Sequence, residues 1–188
     1  MSKKIGVIAE DNSDIAVINE ILEKYMETNS FAIKRFVGNG CGKLRHKCSS
    51  WAKMLSNSGC EHILVFHDLD RNCEKELRAE LSSKVCKENY PKSLIVIPKE
   101  EMEAWLLSDL KALKVVFNLK RIPKKISCCE SIISPKEHIR NIVWANGKKR
   151  YLNTAHNQKI AKHSSISNFN RCASYKPLDS YIRNKICA

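Results

Sequence analysis

Four short apolar runs, each followed by a stretch of helical periodicity, limit what this 188-residue chain can fold into. The runs lie at 4–9, 31–37, 63–66 and 93–97. Apart from Lys4, Lys34-Arg35 and Ser93 they read as continuous apolar runs, as strands buried on both faces should. After the first, Ile15, Val17, Ile18, Ile21, Leu22 and Tyr25 recur at helical spacing. After the second, the turn Gly38-Asn39-Gly40-Cys41-Gly42 leads into a helix expected over 43–57, ended by Ser58-Gly59. After the third, a polar helix is expected over 73–89, with Leu77, Leu81 and Val85 as its apolar face and Pro91 as its stop. After the fourth, Pro98 is expected to block further strand pairing. A helix over 100–107 then follows, with Met102, Trp105, Leu106 and Leu107 as its apolar set. Alternation of this kind implies an α/β fold: a doubly wound sheet of about four parallel strands, with right-handed crossovers.

The pattern weakens past residue 110. Residues 112–117 continue as helix, and 118–133 read as an irregular basic connection. Ser134-Pro135-Lys136-Glu137 places Ser at the N-cap, Pro at the first helical position and Glu at the third. That helix should run to about Trp144, with a turn at Asn146-Gly147 and short helices near 156–165 and 178–186. The expected organisation is an α/β domain over 1–110 and a basic, mostly helical extension over 111–188 packed on it.

Charge divides the chain in the same place. Residues 1–110 hold 16 Lys and Arg against 17 Asp and Glu, whereas 111–188 hold 17 against 3. The net charge of +13 therefore comes entirely from the C-terminal part. A basic face beside an acidic centre suits a polyanionic partner, nucleic acid first among them; a merely solvated basic face is the plainer reading. The nine cysteines are odd in number and contain no CxxC pair; the only close spacing is Cys128-Cys129. Zinc sites and secreted disulfide frameworks show tighter pairing, so reduced thiols are expected. No apolar run approaches the ~18 residues of a membrane span. The segment before the first strand is too short for a signal peptide. A cytoplasmic protein with no membrane partner is the expectation.

Chemistry concentrates in three acids. Glu10 ends the first apolar run, and Asp68 and Asp70 follow the third in His67-Asp68-Leu69-Asp70. Open α/β sheets bind ligands at the carboxyl ends of their strands. Asp68 and Asp70 are two apart, so in an extended segment they point the same way. Carboxylates from two strand ends suit a hard cation such as Mg²⁺ or Mn²⁺. Helix capping by Glu10 and turn formation by the aspartates are the bland alternatives.

On these residues the chain resembles the Toprim domain, the catalytic module of topoisomerases, primases and several nucleases. Toprim sequences carry a Glu after the first strand and a DxD after the third; many have Gly where this chain has Asp11. More closely, the chain resembles small bacterial Toprim-like proteins, the family described as domain of unknown function 4276. The pieces that match are Glu10 with its helix, Gly38–Leu44, the DxD, and the stretch from Ile97 through Glu100, Glu101, Glu103, Trp105 and Asp109. In the tail Tyr151, His156, Ile160-Ala161 and Arg171–Tyr175 match. The resemblance implies Mg²⁺-dependent nucleic-acid chemistry and a place beside AAA-type ATPases in anti-phage defence loci, as a toxic, abortive-infection effector.

The remaining candidates are weaker. Lys43 follows the glycine turn and could meet a phosphate, although the spacing is not that of a Walker A loop and ATP binding is not expected. Glu100 and Glu103 would share a helical face, and the resemblance favours Glu101 and Glu103 as further catalytic acids. Charge satisfaction at a helix start is their ordinary use. Arg71 could hold a phosphate. So could His156, by its match to the family's tail. Lys148, Lys149, Arg150, Lys159 and Arg171 would hold a nucleic-acid backbone. Trp144, Tyr151, Phe169 and Tyr175, interleaved with basic residues, fit base stacking or core anchoring equally. The sequence thus reads as a metal-dependent nuclease acting on DNA or RNA, tRNA included, as a monomer or homodimer. The alternative is a non-catalytic nucleic-acid-binding or ATPase-partner subunit. A phosphohydrolase of another type ranks third, since no nucleophile elbow is present.

Overall fold

The computed structural model describes residues 2–85 and 92–188. Its centre is a four-stranded, all-parallel sheet in the order β2-β1-β3-β4, from β1 (Lys3–Ala9), β2 (Phe31–Val37), β3 (His62–Phe66) and β4 (Lys92–Val96). Between them lie α1 (Asn12–Leu22), α2 (Cys41–Asn57) and α3 (Glu74–Val85). The far end of the helix expected over 73–89, and Pro91, lie outside the described residues.

Right-handed crossovers decide which helix covers which face. The chain steps outward from β1 to β2 through α1, then returns across β1 to β3 through α2 and continues to β4 through α3. Reversing the direction of travel puts α2 and α3 opposite α1. Side-chain alternation matches. Ile8, Ile63, Val65, Ile95 and Ile97 pack against Leu44, Cys48, Ala52 and Leu55 of α2 and Leu77, Leu81 and Val85 of α3. Val7, Ala9, Leu64, Phe66 and Val96 face α1 and the C-terminal half.

One helix cannot cover a face of four strands, and the C-terminal half fills the rest. It contributes α4 (Glu103–Leu106), α5 (Leu110–Phe117), α6 (Pro135–Gly147), α7 (Asn153–His163), α8 (Ile166–Phe169) and α9 (Lys176–Tyr181), closing in a π-helical turn at Ile182–Ile186. Helix α7 lies along α1. Trp105 is fully buried, edge-on to Phe66 of the sheet and to Tyr175, and its indole N–H donates to Ser174 Oγ at 2.8 Å. The extension therefore shares one core with the sheet. None of the eight described cysteines is in a disulfide. No helix among the described residues is long and apolar enough to cross a membrane.

Three local expectations change. Glu100 takes a left-handed backbone at φ 61°, so the helix begins only at Glu103 and Glu100 shares no helical face with it. At α6 the chain starts as expected, but the Ser134 side chain makes no capping bond and Glu137 pairs with Arg140. The helix also runs through Gly147 and turns at Lys148, φ 51°. A Cβ at Gly147 would sit 2.8 Å from Leu119 Cδ2, so that glycine serves a close approach and the next residue takes the turn. Pro98, finally, ends the strand as a donor, yet its carbonyl still accepts from Leu69 N–H at 2.9 Å, prolonging the β3–β4 register beyond the sheet.

Gly6 sets how near α2 lies to the sheet. A Cβ there would come within 2.9 Å of Leu55 Cδ1 and 3.1 Å of Leu55 Cβ. Gly6→Ala is expected to destabilise the protein by roughly 1–3 kcal/mol through overpacking, read as a lower urea midpoint. An unchanged midpoint would show that α2 can retreat without loss.

Candidate active site at the switch point

The strand order places β1 between β2 and β3, so the direction of winding reverses between β1 and β3. Their carboxyl ends form the switch-point crevice in which such sheets bind ligands. Ile8 is in register with Val65, so Glu10 and the residues after Phe66 emerge side by side. Glu10 Oε1 accepts the Asp68 backbone N–H at 3.1 Å. The cap of α1 is Asp11, not Glu10. Asp11 Oδ1 accepts from Ser13 and Asp14 N–H, and Asp14 Oδ2 accepts from Asp11 N–H at 3.0 Å. Capping by Asp11 leaves the Glu10 carboxylate facing β3 and brings Asp14 alongside.

Asp68 Oδ1 accepts Met102 N–H at 3.0 Å, tying the end of β3 to the start of α4. Asp70 is exposed and left-handed at φ 47°, with its N–H donated to Glu100 O at 3.0 Å. The segment is thus not extended at Asp70, and strand alternation does not govern where its side chain points.

The carboxylates crowd one another. Burial pushes the Glu10 carboxyl up to about 7, with Asp70 and Asp11 adding repulsion against the lowering effect of the Asp68 N–H bond and Arg45. Burial and Asp11 raise Asp14 to about 8, with Glu103 and Glu10 adding to it. Asp68 is held well above the usual carboxylate range by burial, then by Asp14, Glu103, Glu10 and Asp70.

The two glutamates before α4 part ways. Glu103 is buried, and its Oε1 accepts from Asn157 Nδ2 at 3.0 Å and lies 3.3 Å from the Tyr151 hydroxyl. Glu101 Oε2 accepts Lys136 N–H at 2.8 Å and so caps α6 from outside, in the place Ser134 leaves open. Burial raises the Glu101 carboxyl too.

Behind Glu10 lies a polar relay through His67, the histidine beside the DxD that the sequence offers as a general acid or base or as a structural residue. His67 is fully buried. Its Nε2 accepts from Arg45 Nε at 3.0 Å, which places the proton of the neutral ring on Nδ1. Nδ1 sits 2.7 Å from Asp68 O and 3.2 Å from Glu10 Oε1. Burial lowers the histidine's proton affinity, favouring this neutral form. Arg45 in turn donates to Asn72 Oδ1 at 2.8 Å. Arg45 and Asp14 carry no motif; only their place on α2 and α1, beside a strand end, brings them here.

The basic candidates are dispersed. Arg71 lines a cleft with Asp70, Glu100, Glu101 and Ser134, beside the acids. Lys43 is exposed on the first turn of α2, and Lys159 on α7. Lys148, Lys149 and Arg150 are exposed beyond α6. Arg171 instead braces the fold, donating to Ser108 O and Ile126 O at 2.9 and 3.1 Å. His156 packs on Phe117, with Nδ1 within 3.1 Å of both Leu152 N and Leu152 O.

The donor set is carboxylate oxygen, which fits a hard divalent cation, and positive charge would offset the burial, and the repulsion added to it, that raise Glu10, Asp14 and Asp68. Among the described residues, however, no group of three or more His, Cys, Asp or Glu side chains already stands at metal-holding spacing. The acids are coupled neighbours, each also occupied by a hydrogen bond or exposed.

Crowding has a consequence in metal-free protein. A folded-state carboxyl raised above its unfolded value holds a proton that unfolding releases, so its stabilisation is complete at acid pH and lost as pH rises through the folded value. In EDTA, the melting temperature should fall as pH rises from the ordinary carboxylate range through about 7 to 8, set by Glu10 and Asp14. Asp14→Asn should flatten that fall. A melting temperature that holds or rises over this interval in both proteins contradicts the crowding.

The described family model, Domain of unknown function (DUF4276), matches residues 9–178, from the end of β1 to α9. No curated protein and no solved structure matches the chain significantly. The matched span contains every acid of the switch-point site, and the chain belongs to the DUF4276 family.

Proposed function

We propose that this chain is a Toprim-type, divalent-metal-dependent nuclease that hydrolyses phosphodiester bonds of DNA or RNA, tRNA included. The observation that carries the proposal is the meeting of Glu10 and Asp68 across the sheet's switch point, 3.1 Å from carboxylate oxygen to backbone nitrogen, inside a field of further carboxylates. Such a field is costly unless cationic charge is brought to it.

Asp68 and Asp70 would hold the cation, with Glu10 as a third ligand or as general base. A divalent ion, when bound, supplies charge that polarises a phosphate and stabilises the leaving oxygen. Glu10, raised to about 7, is suited to take a proton from water near neutral pH. His67, held neutral between Arg45 and Glu10, would fix the Glu10 carboxylate in place. Arg71, beside Asp70, could hold a phosphate with its planar fork. Glu101 and Glu103 would act from behind: Glu101 orients α6 and Glu103 adds negative charge around Asp68. The basic C-terminal face would carry the polynucleotide. An effector role in anti-phage defence, restrained by an AAA-type ATPase partner, belongs to the same proposal and rests on the resemblance alone, as does a cytoplasmic location.

A second reading has its own observation. The structural hydrogen bonds that Glu10 accepts from Asp68 N–H and Asp68 accepts from Met102 N–H favour a subunit whose acids brace the fold and which binds nucleic acid without cutting it. Glu10→Ala and Asp68→Ala decide between them. With Mg²⁺ or Mn²⁺ and single-stranded, duplex and tRNA substrates, each variant should lose cleavage by roughly 100-fold or more while still binding substrate. Wild-type protein that binds but cuts none of them in either metal favours the subunit.

A further inference from the structure

Four aromatic residues are interleaved with the basic residues of the C-terminal half, and the fold separates them. Tyr151, Phe169 and Tyr175 are buried, whereas Trp144 is 57% exposed. It stands on α6 with Arg140 one turn before it and Lys148 one turn after. Lys148 Nζ lies 5.2 Å from the centroid of its ring. A surface cleft of about 350 Å³ opens here, lined by Arg140, Asn141, Trp144, Lys149, Arg150 and Leu152. A second cleft is lined by Lys120, Arg121 and Lys148, the last of these the cation over the Trp144 ring.

Lys148, Lys149 and Arg150 are exposed and join no ion pair among the described residues, whereas Arg140 is paired. Of the three acids in residues 111–188, Glu137 pairs with Arg140. Glu130 accepts from Ala173 and Ser174 N–H, and Asp179 is engaged by Tyr25 and Arg183. An exposed indole in a cationic field costs solubility and gives nothing to the core. Both features are explained by one ligand chemistry: a negative backbone carrying flat, unstacked aromatic rings.

We infer that the C-terminal end of α6 and the loop after it bind single-stranded nucleic acid, with Trp144 stacking on a base and Lys148, Lys149 and Arg150 contacting the phosphates. A duplex keeps its base faces occupied and would leave the indole idle. An acidic peptide would use the cations but has no ring to offer Trp144.

The surface is coupled to the acidic site. Glu101 holds the first turn of α6 through Lys136 N–H, and Trp144 lies eight residues further on, ~12 Å along the helix axis. A stacked strand covers that rise in about four nucleotides. Tyr151 also lines the cleft, and its hydroxyl reaches Glu103 Oε1. The inference deepens the nuclease reading by naming its substrate as single-stranded, but binding can be measured without cleavage.

The test is fluorescence anisotropy of labelled oligo-dT and oligo-U of about 12 nucleotides, in EDTA, with a duplex of equal length and polyglutamate as competitors. Single strands should bind better than the duplex. Trp144→Ala should weaken single-strand binding about 10-fold, and Trp144→Phe should restore most of it. Lys149→Ala with Arg150→Ala should weaken binding and reduce the salt slope by about 1 to 2, whereas Trp144→Ala leaves the slope unchanged. Binding is read in EDTA, without cleavage, so a failed catalytic reading would leave this result intact. Equal single-strand affinity for wild type and Trp144→Ala overturns the inference. So does a preference for duplex or polyglutamate over single strands.

Discussion

The hydrogen bond from Asp68 N–H to Glu10 Oε1 joins the two strand ends on either side of the point where the sheet reverses its winding. Everything proposed for the chain depends on that juncture. It requires the β1–β3 register that sets Ile8 against Val65. It requires Asp11 to cap α1, so that the neighbouring glutamate is not spent on the task. It also requires α4 to present Met102 N–H to Asp68, which fixes the second carboxylate. A sheet built from generic apolar packing has no need of charge at this place. Here burial, with repulsion from neighbouring carboxylates added to it, raises the proton affinity of Glu10, Asp14 and Asp68.

Much of the architecture was legible because buried parallel strands and their crossover helices leave strong, period-specific patterns. The runs at 4–9 and 31–37 fall within a residue of β1 and β2, and the helix positions from Ile15 to Leu22 are the buried face of α1. The acids at strand ends were legible for the same reason, since locating a strand locates its carboxyl end. What local sequence could not give was set by tertiary contact. Glu100 reads as helix, yet its carbonyl is drawn to Asp70 N–H and its backbone turns left-handed. Glu101 and Glu103, neighbours in the chain, serve different helices. Arg45 reaches His67 from α2, a partnership no spacing rule marks.

The C-terminal half shows how charge and burial can be divided within one segment. Its apolar residues complete the face that α1 cannot cover alone, and Trp105, Ser174 and Tyr175 weld it to the sheet. The three acids of residues 111–188 are all engaged in hydrogen bonds or ion pairs, and the 17 Lys and Arg of that stretch leave its surface predominantly cationic. Residues expected to act together on a ligand are accordingly sorted. Arg171 and His156 brace the fold, while Lys148, Lys149 and Arg150 face solvent beside Trp144. The polarity of the molecule, an acidic crevice in the sheet and a basic face beyond it, follows from that sorting.

The crowded carboxylates at the switch point are proposed to bind a divalent cation. Titration of Mn²⁺ into metal-free protein, followed by the electron paramagnetic resonance of the unbound ion, tests it without reference to any substrate. Saturable depletion of the free Mn²⁺ signal is expected, competed by Mg²⁺ and abolished in Asp68→Asn. A signal identical to that of buffer, or depletion that survives in Asp68→Asn, would contradict it.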